Sequence, residues 1–306
     1  MDRAVRGKYR IKKNAALGQG IFELRIEAPD ICRASSAGQF VNIYPPGGDM
    51  LLPRPIGVAD AQGDVLTLVY AVVGKGTRVI SSLAEGEELE VMGPLGTGFF
   101  DYPGNLLSSR EEPPLRRSVL MIGGGAGIPP LRFAAKKLRA VLGDGVCIEA
   151  FLGFREQPWC AEEFSGVCDR VWLASETKGA AGFCGNVMEL LSETYRDAEN
   201  PGETYRGAAY AKEAGSAASL ALACGPRPML AAVSEWCRER GIPLRVSLEE
   251  RMGCGYGACA GCTVKTRPIA DAAKPQNGPN VPDAEGFIRK KTCVHGPAFW
   301  ADEVAW

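Results

Sequence analysis

Ser118-Val119-Leu120-Met121-Ile122-Gly123-Gly124-Gly125-Ala126-Gly127-Ile128-Pro129-Pro130 is the stretch on which the fold turns. Five consecutive hydrophobic or small residues read as a strand buried on both faces. A glycine-rich turn follows at once, and then an amphipathic helix from about residue 130 to residue 142. Proline in a first helical turn costs little, because the N–H it lacks would have no partner there. Small residues let a backbone approach a pyrophosphate, and a helix N-terminus offers unpaired N–H groups and a positive dipole end. A glycine triplet alone also fits a plain tight turn. The strand–turn–helix context favours a nucleotide, with Gly124, Gly125, Gly127 and Pro129 as its contacts.

Downstream of this turn the pattern alternates. The sequence predicts strands near 147–152, 170–174, 219–223 and 244–248, with helices near 186–194 and 228–240. That order argues for a parallel, doubly wound α/β domain over residues 114–245. Cys224-Gly225-Pro226-Arg227-Pro228-Met229 lies at a strand C-terminus, the edge where open α/β sheets collect ligands. Alone, this hexapeptide is an ordinary helix-starting turn. Paired with the first turn it makes Cys224, Gly225 and Pro226 candidates for a nicotinamide site. The polar stretch 195–215 reads as a surface insertion.

Upstream, residues 9–100 look all-β. Runs such as Ile21-Phe22-Glu23-Leu24-Arg25-Ile26 alternate and are separated by turns rich in Gly and Pro. Several short strands predict a small antiparallel barrel within residues 1–102. It carries Arg54-Pro55-Ile56-Gly57 and, some twenty residues on, Gly74-Lys75-Gly76-Thr77. An arginine can fork onto a phosphate, and the second run offers backbone N–H groups and a hydroxyl. Each run alone also fits an exposed arginine and a hairpin turn. Residues 101–117 hold prolines among charges and read as a linker.

The C-terminal part, residues 246–306, carries the most specific pattern. Cys254, Cys259 and Cys262 are spaced C-x4-C-x2-C on a glycine-rich loop, and Cys293 follows at a distance. This is the plant-type ligand spacing of a [2Fe–2S] cluster. Structural zinc, the main rival, usually shows paired C-x2-C knuckles. The segment 267–285, rich in Pro, Asn and Asp, reads as an exposed excursion. His295, the one histidine, reads as polar surface; with a single histidine, a Rieske centre and a His-rich catalytic zinc site are excluded.

Composition sets the outer bounds. The 306 residues suffice for two or three domains, and a net charge of −1 gives no support for nucleic-acid or polybasic membrane binding. No apolar run is long enough to span a bilayer, and the first residues lack a signal peptide's apolar core. Eleven cysteines, an odd number, suggest reduced thiols in a cytoplasm, with the seven outside the cluster motif as small buried hydrophobes.

Taken together, these motifs resemble the ferredoxin–NADP reductase superfamily, a flavin barrel followed by a nucleotide domain. Within it they are most similar to the electron-transfer subunits of two-subunit, NAD-dependent dihydroorotate dehydrogenases. The likeness spans nearly the whole chain. It is carried by Arg54-Pro55-Ile56, Val73–Thr77, Gly93-Pro94-Leu95-Gly96-Thr97-Gly98-Phe99, the Gly123–Pro130 turn, Cys224–Met229, the three-cysteine loop and Cys293-Val294-His295-Gly296-Pro297-Ala298-Phe299. Gly57 stands where family members commonly have serine, and Ser175-Glu176-Thr177-Lys178-Gly179 departs from the usual Asp-Gly-Ser-x-Gly.

The resemblance implies FAD on the barrel, with Arg54 on its phosphates and Tyr70 near its ring or ribose. It implies NAD(H) at the strand ends, with Gly125 and Gly127 under the pyrophosphate and Cys224 near the nicotinamide. Hydride would pass between nicotinamide and flavin, and single electrons through the cluster. An FMN-containing catalytic subunit would oxidise dihydroorotate in pyrimidine biosynthesis, the two subunits forming a heterotetramer. The same module could serve a ferredoxin:NADP oxidoreductase or a sulfide- or hydrogenase-linked complex. A non-catalytic, cluster-carrying scaffold is the remaining alternative. Glu149 and Arg155 leave the choice between NAD and NADP open, and the family likeness tips it to NAD.

Overall fold

Strict alternation shapes the first hundred residues. Leu66, Leu68 and Tyr70 point inward from one strand and Leu24 and Ile26 from its neighbour, all at most 1% exposed, which is the period-two signature of a half-buried strand. In the computed structural model, which describes residues 4–18, 20–48, 50–102, 117–199, 218–269 and 278–306, six such strands close on themselves. They are β1 (Val5–Gly18), β2 (Ile21–Glu27), β3 (Phe40–Tyr44), β4 (Arg54–Gln62), β5 (Val65–Ala71) and β6 (Glu88–Leu95). Their order around the barrel is β1-β2-β5-β4-β3-β6, and the neighbouring pairs are antiparallel. Closure leaves no free sheet edge. Two short helices, α1 (Pro29–Ala34) and α2 (Lys75–Ser81), join the strands.

The chain divides into two compact units. Residues 1–105 and 247–306 form one, and residues 106–246 the other. The cysteine segment thus folds with the barrel rather than apart from it. Its own elements are small: β13 (Thr263–Thr266) pairs antiparallel with β14 (Ile288–Lys291), and α7 (Thr292–His295) follows. With few apolar residues of its own, the segment borrows the barrel's. Phe40 and Leu95 pack with the buried Cys262 and Cys293, and Thr97 Oγ1 donates to the Val294 carbonyl at 3.1 Å. A buried ion pair closes the tail, Lys290 Nζ to Glu303 Oε2 at 2.6 Å, while Glu303 Oε1 accepts the Trp300 N–H at 3.0 Å.

In the second unit the sheet runs β10-β9-β8-β7-β11-β12. The strands are β7 (Arg117–Gly124), β8 (Val146–Phe154), β9 (Arg170–Ser175), β10 (Phe183–Cys184), β11 (Leu220–Cys224) and β12 (Leu244–Ser247). From β10 through β11 neighbours pair in parallel. The helices are α3 (Ile128–Leu142), α4 (Glu162–Ser165), α5 (Val187–Glu199) and α6 (Arg227–Glu239). The strand order reverses between β7 and β11, the topological switch point where such sheets bind ligands. Both glycine motifs of the sequence lie there. The predicted elements all appear, most of them shifted by a residue or two at their ends; α5 runs on past the expected 194 to Glu199, so the first residues of the expected 195–215 insertion are helical, with Tyr195 packed against Phe151 and Trp236. The two-residue β10 was not anticipated, because two residues carry no period. The linker between residues 103 and 116, the insertion from 200 onward and the middle of the 267–285 excursion lie outside the described residues.

Candidate functional site

The cysteine loop is built from backbone N–H groups turned toward sulfur. Cys254 N–H donates to Cys259 Sγ and Cys259 N–H to Cys254 Sγ, each at 3.4 Å, and Gly261 N–H also donates to Cys259 Sγ at 3.4 Å. Cys293 N–H donates to Cys262 Sγ at 3.5 Å. Burial pushes the Cys254 thiol up, but N–H groups of Cys259, Tyr256 and Ala258 outweigh it and hold the group down at about 6. Burial, together with the Cys262 and Cys254 thiols, pushes Cys293 up to about 12. A buried thiol of that kind becomes a thiolate when a bound metal supplies positive charge.

These observations test which group the cysteines fit. Among the described residues no three His, Cys, Asp or Glu side chains converge as ligands of a single metal ion. The four thiols stand instead as two linked pairs, Cys254 with Cys259 and Cys262 with Cys293. Two thiolates for each of two irons is what a [2Fe–2S] cluster takes, so the donor set fits that group. Gly255, at φ +74°, and Gly257, at φ +96°, give the loop the left-handed turns it needs. Lys291 Nζ donates to the Gly257 carbonyl at 2.5 Å and steadies the same loop. The exposed edge carries Cys259, Ala258 and Tyr256, the last 42% exposed. His295 is half-buried rather than surface; its Nδ1 accepts the Lys291 N–H at 2.9 Å, and burial with Lys290 and Lys291 lowers its pKa.

On the barrel, the two weak runs come together. A Cβ on Gly76 would fall within 2.2–2.4 Å of the Arg54 guanidinium, so the arginine lies across the turn at this glycine. Arg54 Nη1 donates to the Leu52 carbonyl at 2.5 Å, which aims the side chain. Arg54, Pro55, Ile56 and Gly57 are all half-buried, a break from the alternation of the other strands that leaves this end of β4 open. Lys75 is exposed and Gly74 half-buried beside it. The Thr77 hydroxyl accepts the Val73 and Gly74 N–H groups at 3.0 and 3.1 Å and donates to the Gly74 carbonyl, so it shapes the turn. An anionic diphosphate fits such a guanidinium-over-glycine cradle.

Tyr70 is a correction. Expected beside a flavin ring or ribose, it is 1% exposed, its hydroxyl donates to Asn14 Oδ1 at 3.1 Å, and its ring stacks on Phe22. It is barrel core with no surface left to offer a ligand.

In the second unit the glycines hold two turns against each other. Cys224 pairs with Gly123 in register. A Cβ on Gly127 would come within 2.4 Å of the Cys224 carbonyl group, and one on Gly124 within 2.7 Å of Met229 Sδ. Gly125, at φ +54° with nothing within 4 Å of its missing Cβ, is the open member. Pro129 is buried at the start of α3 and serves the helix rather than facing out, and Cys224 is 3% exposed. Gly225 is buried and Pro226 exposed. Glu149 lies in mid-strand, in register with Arg170 on β9 and 3.9 Å from its guanidinium, and burial raises its pKa. It therefore sits away from the strand ends where a ribose would bind. The departing stretch 175–179 is tied to the exit of β8: Ser175 Oγ donates to the Glu156 carbonyl at 2.7 Å and Thr177 Oγ1 to that of Arg155 at 2.9 Å.

Sequence reading missed Asn42, Phe40 and Thr97, which reach the cysteine segment from the barrel, and Lys291, which braces the loop from within the segment. The Gly93–Phe99 run was the one available signal. Thr97 N–H donates to the Gly296 carbonyl at 2.5 Å, so that run holds the segment after Cys293.

A flavin-type barrel, a switch-point nucleotide turn and a two-pair thiol loop define the class: a ferredoxin–NADP reductase-like electron-transfer protein with an iron–sulfur domain. The profile of the iron–sulfur cluster binding domain of dihydroorotate dehydrogenase B matches residues 249–275. The chain is 31% identical over 297 residues to the dihydroorotate dehydrogenase B (NAD(+)) electron transfer subunit of Caldanaerobacter subterraneus, covering 97% of both chains. It is 32% identical to that of Desulforamulus reducens, covering 93% of this chain and 92% of the other. A chain of the NADH-dependent reduced ferredoxin-NADP oxidoreductase structure superposes with a TM-score of 0.72 at 27% identity, over 97% of this chain and 90% of that one. The ferredoxin reductase of carbazole 1,9a-dioxygenase shares the fold, with a TM-score of 0.55 at 18% identity, over 79% of this chain and 69% of that one. The chain belongs to the family of dihydroorotate dehydrogenase B electron transfer subunits.

Proposed function

We propose that this chain passes electrons between NAD and the catalytic subunit of a dihydroorotate dehydrogenase in pyrimidine biosynthesis, using FAD and a [2Fe–2S] cluster. The observation that carries the reading is that one compact unit holds both the Arg54–Gly76 cradle and the paired thiols. Family membership supplies the partner, an FMN-containing catalytic subunit, with a heterotetramer as the expected assembly. When bound, the flavin supplies hydride exchange with NAD(H) and its conversion to single electrons, and the cluster relays them.

The chain's own residues do the placing. Arg54 neutralises the FAD diphosphate, Gly76 gives it room, and Gly74 and Lys75 line the turn. Pro55, Ile56 and Gly57 form the wall for the ring, Gly57 with a backbone N–H where relatives use a hydroxyl. In the second unit Gly125 brings the backbone to the dinucleotide, Gly124 and Gly127 pack the two turns together behind it, and Cys224, Gly225 and Pro226 border the nicotinamide. Cys224, being buried, acts there as a wall and not as a proton donor. Cys254, Cys259, Cys262 and Cys293 hold the cluster. In this reading the functional parts are residues 1–102, 114–245 and 246–306. No helix among the described residues is long and apolar enough to cross a membrane. Eleven cysteines, an odd number, are in keeping with reduced thiols in a cytoplasm.

The likeness to a chain of the reduced ferredoxin-NADP oxidoreductase structure favours a second reading, in which the same module serves a ferredoxin-linked complex. The test is co-purification with an FMN subunit followed by NAD reduction with dihydroorotate. Turnover that requires both subunits, with flavin reduced faster by NADH than by NADPH, is the expected result. Absence of dihydroorotate turnover, with faster reduction by NADPH, would favour the second reading.

A further inference from the structure

Asn42 is an unusual residue for a fully buried position on a barrel strand. It lies on β3, opposite Pro55 of the flavin strand β4 and Met92 of β6, and is 0% exposed. Its Nδ2 donates to the Cys254 carbonyl at 2.9 Å. Its Oδ1 is buried with no hydrogen-bond partner. The opposite amide orientation would set two acceptor oxygens against each other, so the donor role at Cys254 fixes it. The carboxamide lies flat on Gly255, where a Cβ would come within 2.3 Å of Nδ2 and 2.6 Å of Oδ1. A position that needed packing alone would be met by Leu or Val without the cost of a half-satisfied amide.

Two residues back on β3, Phe40 packs with Cys262 and Cys293. One strand therefore touches both thiol pairs, Phe40 at one and Asn42 at the other, and its other neighbour is the Arg54–Gly57 wall. The Asn42 bond fixes the 254–255 peptide plane, because C=O and N–H of a trans peptide point oppositely. That plane begins the turn in which the Cys259 N–H donates to Cys254 Sγ and the Cys254 N–H to Cys259 Sγ, each at 3.4 Å. Hydrogen bonds to cluster sulfurs stabilise the more negative, reduced state and raise its potential.

We propose that Asn42 is a positioning residue for the cluster, pinning the Cys254–Gly255 peptide so that the loop's amides stay on sulfur and hold the reduction potential up. This rests on the reading of Cys254, Cys259, Cys262 and Cys293 as [2Fe–2S] ligands. The test uses the full-length holoprotein and two variants: Asn42→Leu, of similar volume without the donor, and Asn42→Asp, of the same shape with an acceptor facing the Cys254 carbonyl. The readout is the cluster midpoint in an EPR-monitored redox titration, with flavin content and flavin reduction by NADH measured on the same samples.

The expected result is a shift of the cluster midpoint to more negative values in both variants, larger for Asp, with flavin content and its reduction by NADH unchanged. An unshifted midpoint would overturn the proposal. So would loss of the cluster from both variants with flavin retained, which would make Asn42 a structural support only. Loss of flavin together with the cluster would overturn it too, as a general defect of the barrel. A wild-type protein lacking the cluster signal would instead remove the ligand assignment beneath it, and is told apart because it appears before any substitution.

Discussion

Arg54 and Gly76 show how two weak sequence signals become one site. Neither Arg-Pro-x nor Gly-x-Gly is specific, yet the guanidinium rests where the Gly76 side chain would be. In Gly76→Ala the new methyl meets the end of a flexible arginine and not backbone, so the barrel yields by moving Arg54. The expected outcome is a melting temperature near wild type with FAD affinity lowered about 10- to 100-fold. That range follows from about 1.5–3 kcal/mol for a charge-assisted hydrogen bond. Titration of deflavinated protein with FAD checks it. Tyr70 gives the converse case. Its hydroxyl bonds Asn14, which in turn donates to the Ile80 and Leu83 carbonyls at 2.8 and 2.9 Å. Tyr70→Phe should therefore cost about 1 kcal/mol of stability in a denaturant melt and leave FAD affinity unchanged. A drop in FAD affinity at equal stability would restore Tyr70 to the flavin site.

The turn between β7 and α3 was the most legible element, because every cue for it is local. An unbroken apolar run, a glycine triplet and an early proline suffice to place a strand, a turn and a helix. Its detailed role was less legible. Three of its four expected ligand contacts, Gly124, Gly127 and Pro129, are buried against the protein itself, and only Gly125 is open. What decides this is contact with Cys224 and Met229, about a hundred residues on, and no local pattern encodes it. Gly127→Ala puts a methyl 2.4 Å from the Cys224 backbone, which cannot rotate aside. The expected cost is about 1–3 kcal/mol, the usual penalty for overpacking. Because β7 and β11 must part to relieve it, NADH binding should weaken with it. Flavin reduction by NADH, followed by stopped flow, should show a raised half-saturation concentration while FAD content stays full. β3 was illegible for the same reason. Its bond from Asn42 to Cys254 spans 212 positions.

For the whole molecule, the order of function along the chain differs from its order in space. Sequence places the cluster segment after the nucleotide region, yet residues 247–306 fold with residues 1–105. Flavin strand and thiol loop thus share a body, and the nucleotide turn belongs to the other. The Thr97 bonds to Val294 and Gly296 tie the segment to the barrel independently of the cluster, and the buried Lys290–Glu303 pair and Leu248 N–H to the Pro297 carbonyl at 2.9 Å hold the segment itself together. Cys259 makes none of them; it is exposed, and its hydrogen bonds stay within the loop. Cys259→Ser should therefore abolish the cluster's EPR signal and cut electron delivery to the catalytic subunit at least about 100-fold. Removing a required relay removes the path, whereas a tuning change gives about 10- to 100-fold. Reduction of the bound flavin by NADH should remain within about 2-fold of wild type, because the hydrogen bonds of Cys259 stay within its own loop. The two rates are measured separately, by flavin bleaching in the isolated variant and by dihydroorotate-dependent turnover in the complex. If flavin reduction falls in step with delivery, the cluster is also a structural element of the barrel's unit, and the ties named above are too weak to replace it.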